Sequence, residues 1–292
     1  MHSKLQFRGR SWPTWLAVAG LVCVGTNAAF GEVIQKSFAT IANPAFFLHS
    51  HTGTITVKVW DQNQVEIKCD RASDGMDVIL VGNEEKVTVE THPKRQNLSP
   101  QEARVDLEIR VPRQALVNVV SQQGTITVED LEGGVTIEGG GNSVTLSRVR
   151  GDITVRTVEG PIQIRSSEGH IEAASVSGNL SFAQVNASKF SASTNSGAIR
   201  YQGDFGLGGT YQLHSYSSPI EIQATPRASF DVDARSIQGA IENRLPLPSG
   251  PPAAAGLQSR RTGRSVQGRV STGKSTVQIT SYSGTIRLSG GR

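Results

Sequence analysis

Cysteine is nearly missing from this chain, with 2 among 292 residues. One bridge is the most they can form, which excludes a disulfide-stapled scaffold. Aromatic residues are scarce as well, at 5%, and point to a thin core with many turns. Neither sign of charge dominates, since 29 Lys and Arg stand against 25 Asp and Glu. After residue 32 no window holds apolar residues at i, i+3, i+4 and i+7, so helix is excluded as a main element. No Gly-x-Ser-x-Gly elbow is present, which removes that kind of serine nucleophile. The cluster Gly139-Gly140-Gly141 is followed by no phosphate-loop lysine and no helix. The 31 glycines have no three-residue period, which removes collagen. What remains is a hydrophobic share of 37%, low for a globular domain but enough for a core.

Residues 1–31 read as an export signal. Lys4, Arg8 and Arg10 form a positive start without an acid, and an apolar stretch runs from Trp15 to about Phe30. Ala29-Phe30-Gly31 ends it on the small-x-small rule for cleavage, expected after Gly31 or one or two residues earlier. Retention as a membrane anchor is the alternative. The stretch is shorter than the ~20 residues of a span, and Gly20, Gly25 and Asn27 interrupt it. Lipid attachment at Cys23 is disfavoured by the bulky Val22 before it. Without the three basic residues of this segment, 26 basic stand against 25 acidic side chains, a net charge of +1. The electrostatic footprint of a nucleic-acid binder is then absent. Cys69 remains alone, and its place after Val65-Glu66-Ile67-Lys68 predicts a buried strand residue.

The body of the chain repeats one phrase, Gly-x-aliphatic-x-apolar. Clean copies begin at Gly124, Gly151, Gly160, Gly169 and Gly178, the last four spaced by nine residues. Looser copies begin at Gly197, Gly239 and Gly284, Ser218 replaces the glycine in another, and an outlying copy begins at Gly53. In a strand, Ile153 and Val155 face one way while Asp152 and Thr154 face the other. So narrow an apolar stripe cannot form a core alone, but stacked units make it continuous. The glycine is assigned to the tight turn between strands. Val149, Val158 and Val176, each two residues before a glycine, are expected to point inward near the corners. Two or more nine-residue units make one coil, and about six coils at ~4.8 Å would span ~30 Å.

The reading is therefore an all-β β-solenoid with an N-terminal antiparallel β cap. Residues 32–120 supply the cap region, 121–244 the repeat solenoid, 245–274 a Pro-rich and basic loop, and 275–292 the C-terminal strands. A β-sandwich is the competing architecture for the first part. Caps are required because an open solenoid end exposes unpaired strand edges.

Several ordered segments resemble the bacterial "putative adhesin" family of exported β-strand-repeat proteins of unknown function. They are His51-Thr-Gly-Thr-Ile-Thr-Val-Lys-Val-Trp60-Asp61, then Gln64-Val-Glu-Ile67, then Val105-Asp-Leu-Glu-Ile-Arg-Val-Pro112 leading into the repeats at Gly124. The resemblance covers roughly residues 45–244. After Ala183 the array becomes irregular, and the Pro-rich segment with its basic tail departs from the family pattern. The resemblance implies an envelope-associated β-repeat domain and brings no catalytic motif.

Candidate sites are few. His49 and His51 place two imidazoles on one strand face, a spacing that suits a metal, but no Cys, Asp or Glu triad is near in sequence. His92, His170 and His214 are isolated. Asp152, Thr154, Gln163, His170, Glu172, Asn179, Ser181 and Arg200 are expected to face outward, with their carboxylates scattered rather than paired as glycoside hydrolysis needs. Tyr201, Tyr211 and Tyr216 are the only local rings for stacking on a sugar, and Tyr201 falls at an inward position. Arg260, Arg261, Arg264, Arg269 and Lys274 read as a solvated, mobile basic segment. No catalytic, cofactor or metal residue is assigned. The expected function is an exported, non-enzymatic scaffold or adhesin-like protein of the bacterial envelope, located in the periplasm, at the surface or in the medium. Its partner would be an unknown envelope protein or polysaccharide, with no nucleic acid and no stable membrane span after cleavage. The alternatives are a polysaccharide-active β-helix enzyme and an envelope-stress signalling component.

Overall fold

Strict alternation of apolar and polar residues dictates strands, and every regular element among the described residues is one. The computed structural model describes residues 32–206, 208–245, 247 and 264–290, all within the unit Gly31–Arg292. The expected leader, residues 1–31, lies outside them. The N-terminal group is β1 (Glu32–Ala39), β2 (Ala45–Trp60), β3 (Gln64–Arg71), β4 (Met76–Gly82), β5 (Lys86–Pro93) and β6 (Val105–Pro112). The array holds β7 (Leu116–Glu129), β8 (Val135–Ser147), β9 (Arg150–Glu159), β10 (Ile162–Arg165), β11 (Glu168–Ser175) and β12 (Leu180–Ala183). It continues through β13 (Asn186–Thr194), β14 (Ile199–Gly203), β15 (Thr210–Ser215) and β16 (Ile220–Ala224). The closing group is β17 (Phe230–Ser236), β18 (Ile241–Asn243), β19 (Arg264–Val270), β20 (Ser275–Ser281) and β21 (Ile286–Gly290).

These strands build two parallel faces joined at two corners. Face A stacks β6, β2, β7, β8, β10, β12, β14, β16, β21 and β18 in that order. Face B stacks β5, β2, β7, β8, β9, β11, β13, β15, β20 and β17. The early strands β2, β7 and β8 run through a corner and serve both faces. One coil is therefore two nine-residue units, and Ile126, Val144, Ile162 and Leu180 lie directly above one another. Ten layers on face A make ~43 Å at ~4.8 Å per step. That exceeds the expected six coils, because strands from both flanks join the array. The early copy at Gly53 pairs with Gly124, and the intervening chain leaves to form the cap and returns. The cap is antiparallel, as the sequence predicts. β3 pairs with β6 and β1 with β3 beside face A, and β4 pairs with β5 beside face B.

The C-terminal coil is not last in space. β20 lies between β15 and β17, and β21 between β16 and β18. β19 covers the outer side of β17 in antiparallel register. The segment 245–274 was expected to be a loop, yet Arg264–Val270 forms this strand. Its alternating Val266, Gly268 and Val270 lay an apolar edge over the end of the core, where Leu247 fills the space beside Gly268.

The inward columns are fully buried, and each Ile or Val in them contributes about 1.5–3 kcal/mol of burial. From Phe182 onward the core widens into rings: Phe182, Phe190, Tyr201, Phe205, Tyr211 and Phe230 touch edge-on or stacked at 4.5–5.8 Å. This explains the irregularity after Ala183, because larger side chains need longer coils. The step from Leu180 to Ile199 is 19 residues, and that to Ile220 is 21.

The two corners differ. At corner one, entering face A, a buried hydroxyl accepts the N–H three residues later. Ser175 binds Gly178 at 2.8 Å, Thr194 binds Gly197 at 3.0 Å, Ser236 binds Gly239 at 3.0 Å and Ser281 binds Gly284 at 2.8 Å. Gly178, Gly197, Gly239 and Gly284 do not have left-handed backbones. Their glycine is required by stacking, since a Cβ at Gly178 would collide with the Gly160 carbonyl oxygen and one at Gly197 with that of Gly178. The turn assignment made from sequence is thus corrected for these positions. At corner two the chain turns through one left-handed residue per coil, Asp130, Arg148, Ser166 and Gln184, with φ of 62°, 55°, 49° and 54°.

Two substitutions separate the core from the stacking. Ile162→Ala is expected to cost about 2–5 kcal/mol by leaving a cavity. Gly178→Ala is expected to cost about 1–3 kcal/mol although it adds only a methyl group, because the rigid backbone of the next layer cannot yield. Urea denaturation followed by circular dichroism checks both, and a neutral Gly178→Ala would contradict the stacking account.

Candidate interaction surface

Register fixes columns on the outside as it does in the core. The outward positions read from sequence are confirmed as exposed or half-buried: Asp152, His170, Asn179 and Arg200 are exposed, and Thr154, Gln163, Glu172 and Ser181 are half-buried. Charges on these columns pair across layers. On face B, Arg156 reaches Glu172 at 2.7 Å. On face A, Arg200, Glu221, Arg287 and Glu242 form a row of alternating charge, joined at 3.0, 2.8 and 3.3 Å. Corner two carries a second row. Arg113 bonds Asp61 at 2.8 Å and approaches Glu132 at 3.9 Å, and Arg150 lies between Glu132 and Glu168 at 3.7 and 3.8 Å.

Corner one is the opposite. The position after each buried hydroxyl points outward, so Val158 and Val176 are 52% and 50% exposed. Of the three corner valines expected inside, only Val149 is buried. It lies at corner two, whereas Thr157 and Ser175 take the inward place at corner one. The column continues through Asn195, Tyr216, Tyr282 and Ile237. Tyr216 is 52% and Ile237 45% exposed, and the Tyr216 and Tyr282 rings stack at 4.7 Å and 3°. Over six layers, residues 157–161, 175–179, 194–198, 215–219, 281–285 and 236–240 contain one charged side chain, Glu159. The ridge is ~24 Å long at ~4.8 Å per layer. Tyr282 and Ile237 were not singled out from sequence. Their signal is the step after Ser in Ser-x-x-Gly, visible only once the two kinds of corner are distinguished.

The remaining candidates resolve plainly. Tyr201 is inward, and its hydroxyl donates to the carbonyls of Val185 and Asp204 at 3.1 and 2.7 Å. Tyr211 is buried too, its oxygen accepting the N–H groups of Ala187 and Gly206, which leaves Tyr216 as an exposed ring and adds the half-buried Tyr282. His49 is exposed, but the β2–β7 register skips His51, where the chain turns the corner. The two imidazoles therefore do not share one regular face. Among the described residues no group of three or more His, Cys, Asp or Glu is placed to hold a metal. Arg260 and Arg261 lie outside the described residues. Arg269 is not a free cation, since it bonds Asp231 at 2.6 and 3.1 Å from within β19. Cys69 is buried, and its thiol is pushed up to about 12 by burial first and by Asp70 and Asp106 next.

The Toastrack DUF4097 family model matches residues 45–289, from the first full coil to the last strand. The chain belongs to this family. The β-solenoid-like fold and the β-repeat resemblance read from the sequence agree with it. No curated protein matches. Three solved structures are similar at low identity. One named as a "putative adhesin" from Bacteroides fragilis has a TM-score of 0.46 and 11% identity, covering 88% of this chain and 97% of its own. One named as a "putative cell adhesion protein" from Clostridium sporogenes has a TM-score of 0.32 and 10% identity, covering 89% and 100%. A third, from Parabacteroides distasonis, has a TM-score of 0.29 and 11% identity, covering 88% and 97%. In this Toastrack chain no helix of the described residues is long and apolar enough to cross a membrane.

Two measurements test the electrostatics of the Toastrack solenoid. Arg200 first, and Arg287 after it, hold the Glu221 carboxyl below its ordinary value of 4.5 despite its partial burial. Glu221→Gln should therefore lose under about 1 kcal/mol at neutral pH. The difference is complete above the ordinary carboxyl value and fades as pH falls through the lower folded value, read from urea midpoints between pH 7 and pH 3. In a Cys23→Ser background, Cys69 should resist Ellman's reagent in the native state and react on unfolding. Rapid native labelling would contradict its burial.

Proposed function

We propose that this chain is an exported, non-enzymatic β-repeat scaffold acting as an adhesin-like interaction protein of the bacterial cell envelope. The observation that carries this reading is the division of its surface. Many charges on the faces and at corner two are tied into rows, whereas corner one presents a ridge with a single charged side chain, Glu159, and two stacked tyrosines. Depletion of charge and enrichment in Tyr mark the buried centre of protein interfaces. Export is supported by the composition of residues 1–31, with its positive start, apolar middle and small-x-small end.

Four carboxylates of the array and its closing strands are already engaged by arginine. Arg148, Arg200, Arg269 and Arg235 hold Asp130, Glu221, Asp231 and Asp233, respectively, below the ordinary carboxylate range. A glycosidase needs one carboxyl raised to serve as the acid.

Capture from envelope extract with the wild type and with Tyr216→Ala/Tyr282→Ala, followed by identification of the retained proteins, tests the ridge. The wild type should retain a defined partner that the double variant loses at least tenfold, with its melting temperature within a few degrees. Identical retention by both proteins, or fractionation of the native protein with the cytosol, would overturn the reading.

A further inference from the structure

Face A carries a second feature that the ridge does not explain. Along a strand, side chains on one face recur two residues apart, or ~6.8 Å, so neighbouring outward columns form walls with a trough between them. Over most of the array both walls are short or closed. Across β12, β14, β16, β21 and β18 they open into a cavity of about 420 Å³ that runs along the solenoid axis.

One wall is the row Arg200–Glu221–Arg287–Glu242, whose internal bonds fix each guanidinium and carboxylate in place. The other wall is Gln202, Gln223, Ser289 and Arg244, with Ala183 leaving the trough low at its start. The two glutamine amides have no hydrogen-bond partner and Arg244 has no acidic partner among the described residues.

The chemistry of these walls narrows the occupant. Backbone groups beneath the trough from β12 to β21 are consumed by the parallel ladders, which leaves an added peptide strand main-chain partners only at the outer edge of β18. Phe182, Tyr201, Ile222 and Leu288 also line the trough but are buried in the core, so no exposed aromatic or large aliphatic side chain offers an apolar anchor a seat. What is offered is two lines of polar groups (guanidinium, carboxylate and amide, with the Ser289 hydroxyl between Gln223 and Arg244) at ~4.8 Å steps, suited to paired hydroxyls. Three arginines against two glutamates leave one cation in excess, at Arg244. We propose that this trough binds a linear acidic polysaccharide, with hydroxyls on the glutamine and ion-pair walls and a carboxylate on Arg244. The assignment deepens the reading of the chain as an interaction protein by giving it a ligand class.

Affinity electrophoresis of the full chain through gels containing polygalacturonate, dextran or polyglutamate tests it. Polygalacturonate should retard the wild type, and dextran and polyglutamate should not. Arg244→Ala should weaken retardation about tenfold, the effect of losing one charge-assisted hydrogen bond. Gln223→Ala should weaken it severalfold, and Ala183→Trp, which fills the trough, should abolish it. Arg150→Ala removes the same charge at corner two and should leave it unchanged. Equal loss in Arg150→Ala and Arg244→Ala, undiminished binding by Ala183→Trp, polyglutamate binding as tight as polygalacturonate, or no retardation of the wild type would each overturn the site. Should Ala183→Trp fail to fold, the exposed Gln223→Ala decides. The tyrosine ridge lies at another edge, so partner capture through it survives any of these failures.

Discussion

The rest of the structure depends on one close approach. At corner one the α-carbon of each layer's glycine lies against the carbonyl oxygen of the layer before it, from Gly53 and Gly124 to Gly284 and Gly239. A Cβ added at any of these glycines would be driven into that backbone, which opposes a slip of a layer by one residue. With register fixed, the inward columns become continuous and an apolar stripe of two residues per strand becomes a core. Two layers carry a side chain in this column, Ser218, whose hydroxyl donates to the Ser196 carbonyl at 2.6 Å, and Asn142. Asn142 stands where its neighbours carry glycine, and its buried amide fills the space beside Gly139 and bonds Ser121 at 3.1 Å. Gly139 is therefore room made for a side chain, and Gly140 lies against the Gln122 carbonyl oxygen.

The same register organises the electrostatics. Residues eighteen apart are neighbours, so Glu132, Arg150 and Glu168 become a row of alternating charge although no two are close in sequence. Individually such exposed pairs are worth little. Collectively they determine which parts of the surface are already satisfied. A face whose guanidiniums and carboxylates hold one another presents little unpaired charge to a partner. Corner one carries only Glu159 as a charge because its turns are built from Ser, Gly and small residues, and the trough retains a cation because Arg244 stands just past the three-residue strand that ends face A.

Much of this was legible in the sequence, and the limits have physical causes. The Gly-x-Ile-x-Val phrase and its nine-residue spacing disclose parallel stacking, because the period of burial is local. The equivalence of Gly53 with Gly124 and the insertion of β20 and β21 between earlier layers are not local. Those pairings join residues about 66–71 positions apart, and nothing near either partner announces the other. Val149, Val158 and Val176 look alike by spacing from glycine. They differ because one corner turns on a left-handed residue and the other on a buried hydroxyl, which assigns the inward place to a different position. Arg269 reads as part of a basic run until Asp231, 38 residues earlier, is seen beside it.

The regular and irregular halves of the array serve different ends. Between Gly124 and Phe182 the coils are uniform, and their outward residues are a mixture of Thr, Ser, Gln, Asn, single charges such as Asp152 and ion pairs such as Arg156–Glu172, with Val158 and Val176 on corner one. Beyond Ala183 the core admits Phe190, Tyr201, Tyr211 and Phe230, and the coils lengthen to hold them. Both the stacked tyrosines of corner one and the trough of face A fall in these same layers. Since inward and outward positions alternate, a coil can change its surface chemistry without touching its core columns. A repeat that departs from its own pattern where the surface also becomes chemically distinct is therefore read more economically as a recognition segment on a uniform support than as decay of the repeat.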